Sequence, residues 1–154
     1  MVHQRLSQLC DTNVWLALLV RAHEHHEAAM AWMDSVQAQE SIFFCRSTQQ
    51  SLLRILTQAG FTARYSLPAY TNEEAWRFYE TTLSDDRVAF QLDDPVSLPE
   101  HWRKYSSLRS ASPKLWMDAY LAAFARAAGH RFVTTDRAFR QFDGLDLLLL
   151  SSEP

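Results

Sequence analysis

The chain has 154 residues, of which 47% are apolar and 21% charged, so it can form one domain, 1–154, with a substantial core. No apolar stretch approaches the roughly 20 residues of a membrane span. The segment 1–8 is polar and lacks the apolar core of a secretory signal, so we expect a soluble cytoplasmic protein. The formal net charge of −3 argues at first against a nucleic-acid partner.

The first element is a short apolar run that ends at Cys10, which predicts a strand over 7–10. Asp11 follows at once, and a nearly continuous apolar helix is predicted over 12–20. An acid between a strand and a helix is typical of a ligand site at the carboxyl end of a parallel strand. The same Asp is also a favoured helix N-cap, and this stretch alone favours neither interpretation.

Three histidines open the second predicted helix, 23–38. His23 and His26 share a helix face, but Glu27 occupies the position of the second histidine in a His-Glu-x-x-His zinc motif. We therefore favour a polar first turn over a metal site. Cys10 and Cys45 each close an apolar run and are expected to be buried strand-end residues without a disulfide.

The middle of the chain alternates predicted strands and helices. Ser47 or Thr48 is expected to cap the third helix, which Gly60 ends, and Thr71 with Glu74 forms a capping box for the fourth. The predicted elements are a strand over 41–45, a helix over 49–58, a loop over 61–70, a helix over 71–83, a strand over 87–90 and a helix over 99–108.

Ser112 followed by Pro113 predicts the start of a helix that runs to about 128 and stops at Gly129. Asp118 lies inside this helix beside apolar residues at helical spacing, where a carboxylate is costly unless a donor or a cation accompanies it. Asp136 then repeats the opening layout of strand, acid and helix. The remaining predicted elements are a strand over 131–134, a helix over 137–142 and a strand over 147–150.

Strands that alternate with helices throughout predict a parallel sheet with helices on both faces. Asp11 and Asp136 would both follow strand ends at one edge of the sheet, and Asp118 can reach the same edge. Three close carboxylates would repel one another unless a cation holds them. Oxygen ligands favour Mg²⁺ or Mn²⁺, and such a site suits phosphodiester cleavage.

The charges that give the net value of −3 are unevenly distributed along the chain. Residues 101–140 carry eight Lys or Arg side chains and only two acids, a local charge of +6. A basic segment around isolated acids is typical of a phosphate-binding surface, although a solvated basic face remains open. Lys114 and Arg137 are the candidates for contacts with a phosphate backbone, and Arg46, after a strand end, is a further one.

Three motifs in order resemble the PIN-domain family: Asp11-Thr12-Asn13, the helical segment 116–125 and the segment 134–139. Within that family, the chain length and the segment 45–49 are similar to the VapC toxins of bacterial toxin–antitoxin pairs. The resemblance covers nearly the whole chain.

The resemblance implies an α/β fold, a three-layer α/β/α sandwich with a central parallel sheet of four to five strands. It implies a Mg²⁺- or Mn²⁺-dependent endoribonuclease that acts on RNA, forms a homodimer and is neutralised by an antitoxin protein. The third and fourth predicted helices are candidates for the dimer interface. Matching positions assign metal-binding and catalytic roles to Asp11, Asp118 and Asp136 and supporting roles to Thr12, Asn13 and Thr134.

Gln49 departs from the resemblance, because PIN domains commonly have Glu at that place. Gln keeps an acceptor oxygen but removes a charge, so one bound metal is expected rather than two. We assign Gln49 a catalytic role through a water molecule. The alternative is a catalytically impaired module that binds RNA or protein, and a small-molecule phosphohydrolase is a weaker third possibility.

Overall fold

The computed structural model describes residues 6–151, and the predictions for 1–5 and 152–154 lie outside this range. Within it the chain alternates strands and helices as predicted. The elements are β1 (Gln8–Cys10), α1 (Thr12–Leu19), α2 (His26–Ser35), β2 (Ile42–Phe44), α3 (Arg46–Leu56), α4 (Ala59–Ala63), α5 (Asn72–Leu83), β3 (Val88–Phe90), α6 (Leu98–Ser106), α7 (Leu115–Ala128), β4 (Arg131–Thr134), a 3-10 helix (Arg137–Gln141) and β5 (Leu147–Leu149).

The five strands form one parallel sheet in the order β3-β2-β1-β4-β5. The strand order reverses at β1, because the chain first adds β2 and β3 on one side and later places β4 and β5 on the other. In open α/β sheets the crevice for a ligand lies at such a reversal, beyond the carboxyl ends of the strands. Here that crevice lies past the ends of β1 and β4.

Alternate side chains of each strand enter two separate cores, one on each face of the sheet. In β1, Leu9 packs with α6 and α7, whereas Cys10 packs with α1, α2, α3 and α5. In β4, Phe132 and Val133 divide in the same way. The result is the predicted three-layer α/β/α sandwich, which confirms the expected fold class.

Several predicted helix boundaries are confirmed by the hydrogen bonds that define them. The Thr71 hydroxyl accepts from the Glu74 N–H at 3.1 Å, and the Glu74 carboxylate accepts from the Thr71 N–H at 3.2 Å. Gly129 ends α7 in the left-handed region, with φ of 74°. At these positions the deciding interactions join residues only a few positions apart, which is why the sequence pattern predicts them.

Gly60 does not stop the third helix as predicted. The helix α3 ends at Leu56, and the Thr57 hydroxyl donates to the Leu53 carbonyl, a local bond that competes with helix continuation. Gly60 instead lies inside the short helix α4, in a segment that we assigned partly to a loop. The fully buried Thr62 anchors this helix against the protein.

Four other helix starts or types differ from the prediction. The helix α7 begins at Leu115 and not at Pro113, because residues 113–114 form a turn in which the Leu115 N–H donates to the Ser112 carbonyl. The second helix begins at His26 rather than His23, because residues 21–25 form turns in which the His25 N–H donates to His23 Nδ1. Cys45, rather than Ser47 or Thr48, is the N-cap of α3, and the Thr48 hydroxyl accepts from its N–H. The last predicted helix is a single 3-10 turn.

Both cysteines are buried and carry free thiols, as predicted. No helix within residues 6–151 combines the length and the apolar character needed to cross a lipid bilayer.

Candidate active site

Asp11 lies at the end of β1 and is only 8% exposed. It occupies the N-cap position of α1, yet its side chain makes no capping hydrogen bond. Its Oδ2 atom instead accepts a hydrogen bond of 2.7 Å from the hydroxyl of Thr134, at the end of the neighbouring strand β4. The alternative that Asp11 serves only as a helix cap therefore loses its basis.

The pKa of Asp11 is raised to about 6, chiefly because burial disfavours the charged carboxylate. The hydrogen bond from Thr134 acts in the opposite direction, and the charges of Asp118 and Asp136 raise the pKa further. A buried acid whose pKa is raised by neighbouring acids is a candidate functional group. Structural ion networks can also perturb a pKa, but no cation pairs with Asp11 among the described residues.

Asp118 lies in the first turn of α7 and is half-buried rather than part of the core. Burial raises its pKa, and the negative charge of Asp136 raises it further. The sequence suggested that this acid needs a partner, and the structure gives it carboxylate neighbours instead. This arrangement is unfavourable without a positive charge at the site.

Asp136 follows β4 and caps the 3-10 helix, where its Oδ1 accepts from the Ala138 N–H at 2.9 Å. Its own N–H donates to the Thr134 hydroxyl at 3.0 Å. The same hydroxyl donates to Asp11, so Thr134 joins the ends of two acid-bearing segments. The carboxylate of Asp136 itself is partly exposed.

The three acids provide only oxygen donors, which suits a hard divalent cation. No three His, Cys, Asp or Glu side chains within residues 6–151 stand close enough together to form a complete metal site by themselves. Magnesium often keeps several water ligands and uses one or two carboxylates with substrate phosphate, so an incomplete protein shell is compatible with it. Burial and the charges of Asp118 and Asp136 all disfavour a charged Asp11, and a bound cation would offset both effects.

The two residues after Asp11 occupy the first turn of α1. Thr12 is buried beneath the acid, whereas Asn13 is exposed. Asn13 contributes to the wall of a neighbouring cavity, and no hydrogen bond joins it to Asp11 in the part of the chain described. Its role in orienting Asp11 stays a prediction.

Gln49 is buried in the first turn of α3, where its Oε1 accepts a hydrogen bond from Arg46 Nη1 at 2.5 Å. The Arg46 guanidinium lies over the ring of Phe90, 4.6 Å from its centroid. Gln49 also forms a hydrogen bond with Tyr79; burial raises the pKa of that tyrosine, and the charge of Arg46 and the bond with Gln49 offset only part of the increase. The described structure thus joins Gln49 to Arg46 and Tyr79, and the role in catalysis stays a prediction.

Two of the basic residues in 101–140 are engaged within the fold. Arg126 donates to the Asp143 carbonyl at 2.8 Å, and Arg131 pairs with Asp146 at 3.2 Å. Lys114 is exposed immediately before α7, one turn ahead of Asp118. Arg137 is exposed and directly follows Asp136. These two candidates for RNA contact therefore flank the acids.

The histidine cluster does not form a metal site among the described residues. The His23 Nδ1 atom accepts from the His25 N–H at 3.0 Å, and His26 Nδ1 lies 2.7 Å from the Ala17 carbonyl oxygen. These bonds to backbone groups describe a polar turn, which lies before α2 and not in its first turn as predicted. Sequence reasoning did miss that this turn borders a cavity, which Tyr65 and Thr135 also line. The i, i+4 pair Phe61 and Tyr65 was the available signal, because it places two rings on one face of a helical turn.

The profile of the PIN domain matches residues 9–145. Ribonuclease VapC41 of Mycobacterium tuberculosis is 50% identical over 143 residues, a match that covers 93% of this chain and 98% of that protein. Ribonuclease VapC44 of the same organism is 34% identical over 137 residues, covering 84% of this chain and 86% of that protein.

Among solved structures, VapBC2 from Rickettsia felis, bound to a DNA fragment from its promoter, aligns with a TM-score of 0.63. The alignment covers 95% of this chain and 100% of that chain at 13% identity, so it supports the fold alone. The family match, the sequence relatives and the structural likeness agree. The chain therefore belongs to the PIN-domain family, in the branch that contains the VapC ribonucleases.

Proposed function

We propose that the protein is a metal-dependent endoribonuclease that cleaves RNA phosphodiester bonds as the toxin of a VapBC-type toxin–antitoxin pair. The ribonuclease names of its relatives support the reaction class. The observation that carries the proposal is Asp11, which Thr134 holds and whose pKa is raised first by burial and then by the charges of two further acids. We further propose a cytoplasmic location and a homodimer that contacts through α3 and α5.

The proposed metal is Mg²⁺ or Mn²⁺, held by Asp11, Asp118 and Asp136. When bound, such a cation lowers the pKa of water and stabilises charge on a phosphate oxygen. Thr134 fixes the Asp11 carboxylate through Oδ2 and thereby restricts its orientation. Lys114 and Arg137, on either side of the acids, are proposed to hold the RNA backbone.

The proposed partners are an RNA substrate and a cognate antitoxin protein. The structural neighbour from Rickettsia felis is a VapBC complex, which supports an antitoxin partner for this fold. Because a bound antitoxin would neutralise the proposed activity, it has to be removed during purification before cleavage is measured.

The test is cleavage of RNA by purified protein, freed of co-purifying protein, with Mg²⁺ or Mn²⁺. Asp11→Ala is expected to abolish cleavage while retaining the circular dichroism spectrum of the parent. Asp34→Ala is the matched control, because Asp34 is exposed on α2. Cleavage by Asp11→Ala at the parental rate would contradict the mechanism.

One observation favours the alternative of an impaired RNA- or protein-binding module. The Gln49 oxygen already accepts a hydrogen bond from Arg46, so part of the acceptor capacity that a metal or a water would use is occupied. Gln49→Glu separates the two functions. A large gain in Mn²⁺-dependent cleavage indicates an impaired enzyme, whereas unchanged strong cleavage supports an active enzyme with Gln49.

A further inference from the structure

A cavity of about 810 Å³ is lined in part by residues close in sequence to two of the acids, although none of the three acids lines it. Asn13 and Thr135 form one side of it, and these residues are close neighbours in the chain of Asp11 and Asp136. The opposite side comes from the 23–25 turn and from residues 55–65. None of these opposite-side residues has a role in the proposed metal chemistry.

Three aromatic rings contact one another along the wall of this cavity. Tyr65 stacks on His23 with ring centroids 5.7 Å apart and an interplanar angle of 21°. Phe61 meets Tyr65 edge to face at 5.4 Å. The Tyr65 hydroxyl donates to a Glu24 carboxylate oxygen at 3.4 Å, which further fixes the ring. We call this set of three rings the aromatic wall.

Polar side chains complete the lining. Gln58 presents an amide that can both donate and accept, and Arg64 presents an exposed guanidinium. The His25 ring also lines the cavity, and its buried Nδ1 makes no hydrogen bond. Burial lowers the pKa of His23, which favours the neutral ring. The cavity therefore combines a flat apolar surface with hydrogen-bonding groups and a cation.

This combination matches the recognition of single-stranded RNA, in which unstacked bases lie on aromatic rings and side chains contact their edges. The cavity volume falls in the range of small-molecule sites. A groove for a partner helix would need a continuous apolar lining, whereas Glu24, Gln58 and Arg64 interrupt this one.

We propose that the cavity binds one unstacked nucleobase of the RNA, adjacent to the phosphodiester that is cut, with Tyr65 as the principal stacking residue. The proposal rests on the proposed ribonuclease function and adds a base-selecting subsite to it. Asn13 and Thr135 connect this subsite to the acids, so a base held there fixes which phosphodiester reaches them.

The first experiment measures base preference. A pool of randomised single-stranded RNA is cut with the parent protein and Mn²⁺, and the product ends are sequenced. Tyr65→Ala is expected to lose the preference at one position flanking the cut, and Tyr65→Phe, which keeps the ring, is expected to retain it. Leu67→Ala is the control, because Leu67 is exposed on the same segment and does not line the cavity.

An unchanged preference in Tyr65→Ala overturns the proposal. So does an equal loss in Leu67→Ala, which would reflect the segment rather than the ring. Thermal unfolding of each variant verifies that the comparison is made between folded proteins. Loss of binding to a co-purifying protein without any change in RNA preference assigns the cavity to a protein partner and also overturns the proposal.

The second experiment separates base binding from cleavage. Asp11→Asn protein is titrated with single-stranded RNA octamers that carry 2-aminopurine at one position each, since stacking quenches its fluorescence. Quenching is expected at one position, with affinity about five- to a hundred-fold weaker when Tyr65→Ala is added. Quenching at no position, or quenching that Tyr65→Ala leaves intact, overturns the subsite. If the parent cuts no RNA but position-specific quenching occurs, the ribonuclease proposal fails and the base site stands.

Discussion

The hydroxyl of Thr134 donates a hydrogen bond of 2.7 Å to the carboxylate of Asp11, across two adjacent strands and 123 residues of sequence. The same hydroxyl accepts from the Asp136 N–H at 3.0 Å. Thr134 is fully buried, so water cannot readily take the place of its hydroxyl as the hydrogen-bond partner of Asp11 and of the Asp136 N–H. This one oxygen thus couples the two strand ends at which the acids lie.

Thr134→Val removes the hydroxyl while keeping the shape of the side chain. We expect a loss of about 1–3 kcal/mol in the free energy of unfolding, because a buried acceptor and a buried N–H lose their partner. The pKa of Asp11 should rise further, because the hydrogen bond favours the charged form. The acidic limb of the pH–rate profile should therefore move to higher pH. Thr134→Ser keeps the hydroxyl and should leave that limb in place; a shift of equal size in both variants would contradict this role.

Asp11 should make the metal-free protein less stable as pH rises. Its pKa is about 6 in the folded state, against an ordinary value of 3.8 for an aspartate in the unfolded chain, so the folded state binds more protons between these values. Stability therefore falls as pH rises from about 4 to 6, and the penalty is complete above 6. Two pKa units correspond to roughly 3 kcal/mol.

Asp11→Asn removes that penalty, since Asn stays neutral and its oxygen can still accept from Thr134. Urea unfolding in the presence of a chelator should show the variant to be more stable than the parent by up to about 3 kcal/mol at pH 7.5. The difference should shrink toward zero near pH 4. Asp34→Asn, an exposed control, should change little at either pH, and a pH-independent gain in Asp11→Asn would refute the assignment.

Divalent metal should stabilise the folded protein. A cation that binds only the native state adds RT ln(1 + [L]/Kd), about 2.7 kcal/mol at one hundred times Kd. We expect Mn²⁺ to raise the thermal midpoint of the parent and of Asp34→Ala, and a chelator to reverse the increase. Asp118→Ala should weaken the response, because that acid contributes charge beside Asp136. Equal responses in the parent and in Asp118→Ala would remove Asp118 from the ligand set.

The glycines of the C-terminal half should differ in their tolerance of alanine. Gly129 and Gly144 have φ of 74° and 79°, so each alanine should cost about 1 kcal/mol for the backbone alone. An added Cβ at Gly144 would also lie 2.7 Å from the Arg126 guanidinium, which donates to the Tyr105 hydroxyl and the Asp143 carbonyl.

Gly144→Ala should therefore be the more destabilising of the two, and the excess should disappear in an Arg126→Ala background. Chemical denaturation of the single and double variants gives this coupling directly. Gly60→Ala is the control, since its Cβ would meet open space inside α4. A cost at Gly60 as large as that at Gly144 would contradict the explanation.

Much of the fold was predictable because its signals are local. The capping box at Thr71 and Glu74 and the stop at Gly129 depend only on residues within a turn of one another. The failure at Gly60 is equally physical, because the buried Thr62 holds a short helix where glycine alone suggests a stop. Tertiary burial there outweighs local preference.

Patterns of adjacent residues were enough to predict that acids follow two strands and that a third acid lies in an apolar helix. The motifs that resemble PIN domains are visible in the same way. In contrast, the hydrogen bond from Thr134 to Asp11 and the bond from Arg46 to Gln49 could be seen only in the folded chain. The reason is that the reversal of strand order at β1 brings together segments that are more than one hundred residues apart, and their burial sets the pKa of Asp11.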